Sequence, residues 1–454
     1  MSFPKPPLPW SIRRRFLESI TGKFWWTGWD IQRNRLKISA RRGLMLSLEG
    51  VRIIDFGTAW AGPMSTQLLA DMGAEVIKVE TKGRLDGLRM GRPIVGDDIT
   101  GGDEGKWPNL MPAFHALNRN KMSITVDFKK EEGLALIRDL VKISDVVSDN
   151  FSPGVMARAG LDYDSLCKIK PDIITISLSG AGQYGPLKDA TLYANTIMAL
   201  SGLSSLLGYD GEPPLGMSAV AYGDANASIH AAFAILAALV YRKMTGEGQQ
   251  IDLAETQMGS SLMGEALMDF HMNGRTARPQ GNRHSHMAPH NHYPCSEEDK
   301  WVSIAVATDD EWQQFCKAIG NQAWCRDERF VNAMDRWKNQ EALDKFIAEW
   351  TINHEPIEAM EILQKAGVAA VAVMTTEDQY FNPHFMERQS YIEIEHPLVG
   401  VEALYGIPWR LSETPGEIQR PAPNLGEHNE YVFKDLLGMD SKRFDQLVQN
   451  KVIY

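Results

Sequence analysis

Tyr222-Gly223-Asp224-Ala225-Asn226 sets one carboxylate at the head of a long apolar run, Ala227 to Tyr241. From Ala225 onward Ile229, Ala232, Phe233, Ile235, Leu236, Leu239 and Val240 recur at helical spacing, which predicts a helix buried on most sides. The helix should stop at Lys243-Met244-Thr245-Gly246, where basic residues and a glycine suit a C-terminus. Asp224 then reads as the N-cap, a structural task for a carboxylate that accepts backbone N–H bonds. The same geometry suits chemistry. A carboxylate fixed by helix N–H groups, beside a glycine that lets another molecule approach, can attack an activated acyl group.

The elements that must position this carboxylate come from a chain of 454 residues, 44% hydrophobic and 23% charged. That is ordinary globular composition with room for two or three domains. The four cysteines, Cys167, Cys295, Cys316 and Cys325, form no CxxC pair and suit a reducing cytoplasm. A formal net charge of −11 argues against nucleic acid as a partner. No run reads as the roughly 18 uncharged apolar residues of a membrane span, so no transmembrane segment is expected. Residues 1–46 differ from the rest, with ten Lys or Arg set among Trp10, Trp25, Trp26 and Trp29. Such an arm could meet a membrane surface, an acidic chain or nucleic acid. The acidic main body favours packing on the protein itself or on a second subunit.

Regular structure is expected from Leu48. Val51 to Phe56 reads as a strand, Gly57 to Pro63 as a small-residue turn running into a helix, and Ala74 to Val79 as a second strand ending at Glu80. This is a βαβ outline without the GxGxxG spacing of a dinucleotide site. Strands at Met122–Phe128, Asp145–Ser148 and Asp172–Leu178 alternate with helices at Glu131–Ile143 and near Tyr163–Ile169. The expected fold is therefore α/β: a doubly wound, Rossmann-like parallel sheet, with loops 149–154 and 179–182 at its ligand-binding edge. Gln249 to Leu253 adds a strand and Thr256 to Met268 a helix. Residues 274–296 read as a loop carrying His284, His286, His290 and His292; no Cys or carboxylate cluster completes a site with them, and no metal is expected. The expected organisation is a basic arm at 1–46, a large domain at 47–269, a smaller α+β domain at 270–398, and a segment at 399–454 that returns to the large domain and ends in a helix at Asn429–Leu437.

Several stretches then share an order: 48–56 (LEGVRIIDF), Ala61-Gly62-Pro63, 69–80 (LADMGAEVIKVE), 120–124 (NKMSI), 150–154 (NFSPG), 246–253 (GEGQQIDL) and 420–428 (RPAPNLGEH). Together they resemble the class III CoA-transferases (CaiB/BaiF), a family that includes formyl-CoA:oxalate and carnitine CoA-transferases and 2-methylacyl-CoA racemases. The resemblance implies a CoA thioester as substrate, no permanently bound cofactor, and a catalytic aspartate at Asp224. It implies CoA contacts at Ala59, Trp60, Ala61, Val126, Lys129, Asn150, Phe151 and Arg158, and an interlocked dimer, either of identical chains or with a related chain.

Two departures bear on the substrate. Trp60 stands where formyl-CoA transferases carry a glutamine, and Ala194, after Tyr193, replaces their acidic residue. A pocket formed by Trp60, Tyr193 and Ala194 therefore suits an acid larger than oxalate. Tyr193 also stands where the racemases have a histidine, which removes one acid/base partner for α-proton transfer. The expected activity is transfer of CoA from a donor such as succinyl-CoA to a carboxylic acid. The alternatives are an acyl-CoA racemase, or one subunit of a heteromeric aryl-succinate-type transferase.

Overall fold

The computed structural model describes residues 46–90, 104–216 and 222–454, so the basic arm lies outside the described residues up to its last position. Six strands, β1 (Arg52–Asp55), β2 (Glu75–Glu80), β3 (Met122–Thr125), β4 (Val146–Asp149), β5 (Ile174–Ser179) and β6 (Gln249–Ala254), form one sheet in the order β3-β2-β1-β4-β5-β6. Every neighbouring pair is parallel. The chain moves outward from β1 to β3, then re-enters on the other side of β1 at β4. That reversal opens a crevice at the carboxyl ends of β1 and β4, where doubly wound sheets bind ligands.

Adjacent residues of one strand serve opposite cores, because side chains alternate across a pleated sheet. Ile53, Val76 and Val146 join one cluster, with α1 (Ala61–Ala70) and α7 (Tyr222–Thr245) packed over them. Their neighbours Ile54, Ile77 and Val147 join the other, beneath α3 (Glu131–Lys142). The remaining helices of this region are α2 (Pro112–Asn118), α4 (Val155–Arg158), α5 (Tyr163–Leu166), α6 (Ala194–Leu200), α8 (Glu255–Ser261) and α9 (Gly264–Asn273). The single helix expected over Thr256–Met268 is thus two, broken at Leu262-Met263.

A third core surrounds an antiparallel sheet of β7 (His290–Pro294), β8 (Trp301–Ala305) and β9 (Ala369–Ala372), covered by α10 (Asp309–Ala318), α11 (Gln340–Thr351) and α12 (Pro356–Lys365). Part of the stretch expected as a loop is therefore strand, and it carries His290 and His292. Pairing with β8, a contact invisible in the local sequence, made the difference. A hairpin, β10 (Tyr391–His396) and β11 (Gly400–Tyr405), docks on α2, where Glu402 meets His115 at 2.7 Å.

The last segment lies on the first sheet. Asn429 accepts from the Thr125 N–H at 2.8 Å, Ile453 bridges Val126, and Val432, Phe433, Phe444 and Leu447 are buried in the core under α3. The helix expected at Asn429–Leu437 is present, wound as a π-helix over Tyr431–Leu436. The regular helix α13 (Ser441–Gln449) follows it, capped by Asp440.

Helix α7 departs from its expected burial. Ala227, Ala231, Ile235 and Ala238 form a buried stripe, while Ile229, Phe233, Val240 and Met244 are 54%, 72%, 58% and 80% exposed. Its 24 residues, with a mean hydropathy of 1.4 over an 18-residue window, also meet the length and composition of a membrane span, contrary to the sequence expectation. Core helices pass the same test. This one packs a small-residue face on the sheet and α1, and it carries Asp224, Asn226, His230, Arg242 and Lys243.

Leu447 tests whether the final helix belongs to the large core. Leu447→Ala should cost about 2–5 kcal/mol, seen as a lower urea midpoint; an unchanged midpoint would place that helix outside the cooperative core.

Candidate active site

The loop after β1 is held by buried charge. Asp55 accepts from the Gly57 N–H at 2.7 Å, from the Thr66 hydroxyl at 2.8 Å and from Lys121 at 2.9 Å. Lys78 lies within 2.9 Å of the Asp86 carboxylate and donates to the Gly57 carbonyl at 2.6 Å. Asp86 in turn accepts from the Ala59 N–H at 2.9 Å, which helps hold Ala59 in the left-handed region at φ 59°. All four charged side chains are buried. Burial alone would push the two carboxyls up; Lys121 and Lys78 hold Asp55 below its ordinary value, and Lys78 does the same for Asp86. Desolvation pushes Lys121 down to about 8.

Asn150, after β4, fastens the two sides of the crevice. Its amide accepts from Thr58 N–H and donates to Thr58 C=O, both at 2.8 Å, so it grips one residue of the facing loop twice. Gly57 and Gly62 permit this closeness. A Cβ on Gly62 would lie 2.8 Å from Gly57 Cα and 3.1 Å from the Asn150 side chain.

Asp224 sits in the first turn of α7, two residues inside its start, and so is not the N-cap that its sequence context suggested. The turn is pinned to the crevice by Ser228, whose hydroxyl contacts the Asp224 carbonyl at 2.7 Å and the Ala61 carbonyl at 3.0 Å. Asp224 is half-buried, and desolvation pushes its carboxyl up. Its Oδ2 is buried with no hydrogen-bond partner among the described residues. An acceptor without a donor is a reactive arrangement: its lone pairs remain free.

The other predicted residues divide. Ala59 is exposed, Trp60 half-buried and Ala61 buried, in sequence at the crevice. Phe151 is half-buried behind Asn150, its N–H donating to Asp149 at 3.0 Å. Burial pushes the Asp149 carboxyl up to about 6. Lys129, on the loop after β3, and Arg158, the last residue of α4, are exposed cations, both free to meet an anion. Val126 is different, enclosed in the core with its N–H given to the Glu80 carbonyl at 2.8 Å. Tyr193 is the exposed N-cap of α6 and Ala194 its first residue. That helix also approaches the turn of Asp224, since a Cβ on Gly223 would lie 3.3 Å from the Met198 sulfur.

Sequence reasoning missed three things. Lys78 interrupts the apolar strand 75–80 with a charge, a signal in hindsight of a buried partner. Asp86 lies in a polar stretch with nothing to mark it. Glu255 follows the strand 249–254 as one more acid, yet it is buried. The histidines gather loosely, His284 to His286 at 4.4 Å and to His290 at 5.1 Å between ring centres; among the described residues no group of three or more His, Cys, Asp or Glu is arranged to hold a metal.

Residues 48–429 match CoA-transferase family III. The succinyl-CoA–D-citramalate CoA-transferase of Chloroflexus aurantiacus is 34% identical over 406 residues, covering 89% of this chain and 98% of that protein. The succinate–glutarate CoA-transferase of Agrobacterium fabrum is 33% identical over 392 residues, covering 86% and 95% respectively. Among solved structures, a CAIB/BAIF family protein from Brucella suis superposes with a TM-score of 0.76 at 31% identity, covering 86% of this chain and 99% of that one.

Lys78→Met leaves Asp86 buried without its counter-charge. It should cost about 3–5 kcal/mol in chemical denaturation, whereas Lys129→Met on the surface should leave the midpoint in place. Equal effects would remove the buried pair from its role under the loop.

Proposed function

This chain belongs to CoA-transferase family III and is a CoA-transferase, and on that premise we propose that it moves CoA from succinyl-CoA to a carboxylic acid larger than oxalate, with Asp224 as nucleophile. The observation that carries this reading is the Asp224 carboxylate, with one oxygen unpartnered, in a turn fastened to the Ala61 carbonyl beside the crevice. Glutarate and D-citramalate are the first acceptors to test, because two relatives are named for them. Trp60 supports the larger acid by placing an indole where a small substrate would need a polar contact.

In this reading the Asp224 carboxylate attacks the thioester carbonyl of the donor and expels CoA thiolate, leaving an aspartyl–succinyl anhydride. The thiolate attacks the aspartyl carbonyl of the anhydride, releasing succinate and leaving an aspartyl-CoA thioester. The acceptor carboxylate displaces CoA from that thioester as a second anhydride, and the thiolate then attacks the acceptor's acyl carbon and frees Asp224. A carboxylate is a weak nucleophile, but the thioester is activated and exclusion of water preserves the anhydride. Lys129 and Arg158 supply positive charge for the CoA phosphates. Ala59 to Ala61 present backbone to the CoA thioester arm, and Asn150 and Phe151 form the opposite wall.

The working assembly in this reading is a dimer, with an identical or related chain over the exposed residues of α7. Ile229, Phe233, Val240 and Met244 form a stripe of apolar surface that solvent disfavours. The four cysteines are all unpaired, which supports a cytoplasmic setting.

Two measurements test the proposal. Incubation with succinyl-CoA, hydroxylamine trapping and peptide mass analysis should place an adduct on Asp224. Asp224→Asn should lose the adduct and at least about 10³-fold of turnover. An unmodified Asp224, together with deuterium entering the α-carbon of the acyl group in heavy water, would replace transfer with racemisation. Sedimentation equilibrium should give twice the chain mass, shifting toward the monomer in Phe233→Glu; a wild-type monomer would reject the dimer.

A further inference from the structure

A second carboxyl group faces the same region and has no task in the reading above. Glu255 is the first residue after β6, at the carboxyl edge of the sheet, on the helix α8 that packs against α7. The neighbouring Thr256 N–H donates to the Gly180 carbonyl at 2.9 Å, tying this corner to the loop after β5. Glu255 is only 5% exposed, and its Oε2 is buried with no hydrogen-bond partner among the described residues. No cation approaches it among the described residues. Asp224 is the charged group that acts on it, and that action is repulsive. Two carboxyl groups, each with a buried, unpartnered oxygen, therefore stand on helices that pack together.

Two such groups cannot both be ionised cheaply in a poorly solvated corner. Glu255 is the more deeply buried, so the proton resides there and the charge resides on the better solvated Asp224. We infer that Glu255 is a neutral carboxylic acid set against Asp224, a positioning residue that leaves Asp224 as the single anion of the site and suppresses turnover when it ionises. Burial, reinforced by Asp224, pushes the Glu255 carboxyl up to about 8. Above that pH a second negative charge opposes both the entry of an anionic acyl-CoA and the oxyanion formed when Asp224 attacks its carbonyl. The inference rests on the nucleophilic role of Asp224, but the protonation of Glu255 can be measured without turnover.

The experiment compares wild type, Glu255→Gln and Asp224→Asn by infrared titration from pH 6 to 10, with turnover and melting measured over the same range. The wild type should show a protonated carboxyl band at pH 7 that bleaches near pH 8. The band should be absent in Glu255→Gln and should bleach at lower pH in Asp224→Asn, where the opposing charge is gone. The ratio of turnover at pH 9 to that at pH 7 should rise about tenfold in Glu255→Gln, as expected for a single ionisation one unit below the higher pH.

Melting reports on the same group. Its folded-state value lies above the ordinary 4.5, so its contribution to stability is complete below that pH and is lost as pH rises through about 8. Glu255→Gln should therefore melt higher, relative to wild type, at pH 9 than at pH 5. No acid band in the wild type at pH 7, or the same band or the same alkaline fall in Glu255→Gln, would overturn the inference. The expected infrared titration with no trapped adduct on Asp224 would preserve the neutral Glu255 and overturn the transferase reading, and with it the effect on turnover.

Discussion

Lys78 and Asp86 meet at 2.9 Å with both side chains out of contact with water, and the site rests on that pairing. Removing two charges from solvent is costly, and a single ion pair does not repay it. Here both ions also hold backbone groups: Lys78 the Gly57 carbonyl, Asp86 the Ala59 and Leu88 N–H groups. The neighbouring Lys121–Asp55 pair repeats the arrangement, with Lys121 donating to the Pro63 carbonyl at 2.7 Å. A loop that would otherwise sample many conformations is thereby fixed at both ends, with a non-glycine residue in left-handed geometry between them. Preorganisation of this kind lowers the entropy cost of binding a long, flexible ligand.

The crevice depends equally on a second constraint, the approach of α7 to that loop. A helix rich in alanine can lie close to its neighbours, and Ala227, Ala231 and Ala238 provide the small face that brings Ser228 within reach of Ala61. Asp224 is thus positioned by packing as well as by its own turn. The opposite face of the same helix is large and apolar. This explains why hydropathy alone cannot distinguish among a core helix, a membrane span and a helix awaiting a subunit: all three bury apolar surface, and only the neighbours differ.

Most of the architecture was legible in the chain. Alternating strands and helices over 51–178 predicted a parallel, doubly wound sheet, and the structure has one with the switch point between β1 and β4. The less legible parts were those formed by distant contacts. His290–Pro294 became a strand by pairing with β8, and Ser441–Gln449 became a helix whose apolar residues Phe444 and Leu447 face a core assembled from residues some 300 positions earlier in the chain. Asp224 shifted from N-cap to first turn because helix ends depend on the residues before them, and single-residue boundaries are the least determined part of any periodic pattern.

What the sequence by itself determined was the family, the sheet and the identity of the carboxylate at the head of the helix, because periodicity, glycine placement and ordered motifs are properties of neighbouring residues. What only the tertiary structure decided was which charges are buried and against what. Lys78, Asp86 and Glu255 look like solvated side chains when read in line. Their burial comes from elements far apart in sequence, and it is burial that turns an ordinary ion pair into a fastening and an ordinary glutamate into a neutral acid, since the energy of a charge depends on what surrounds it.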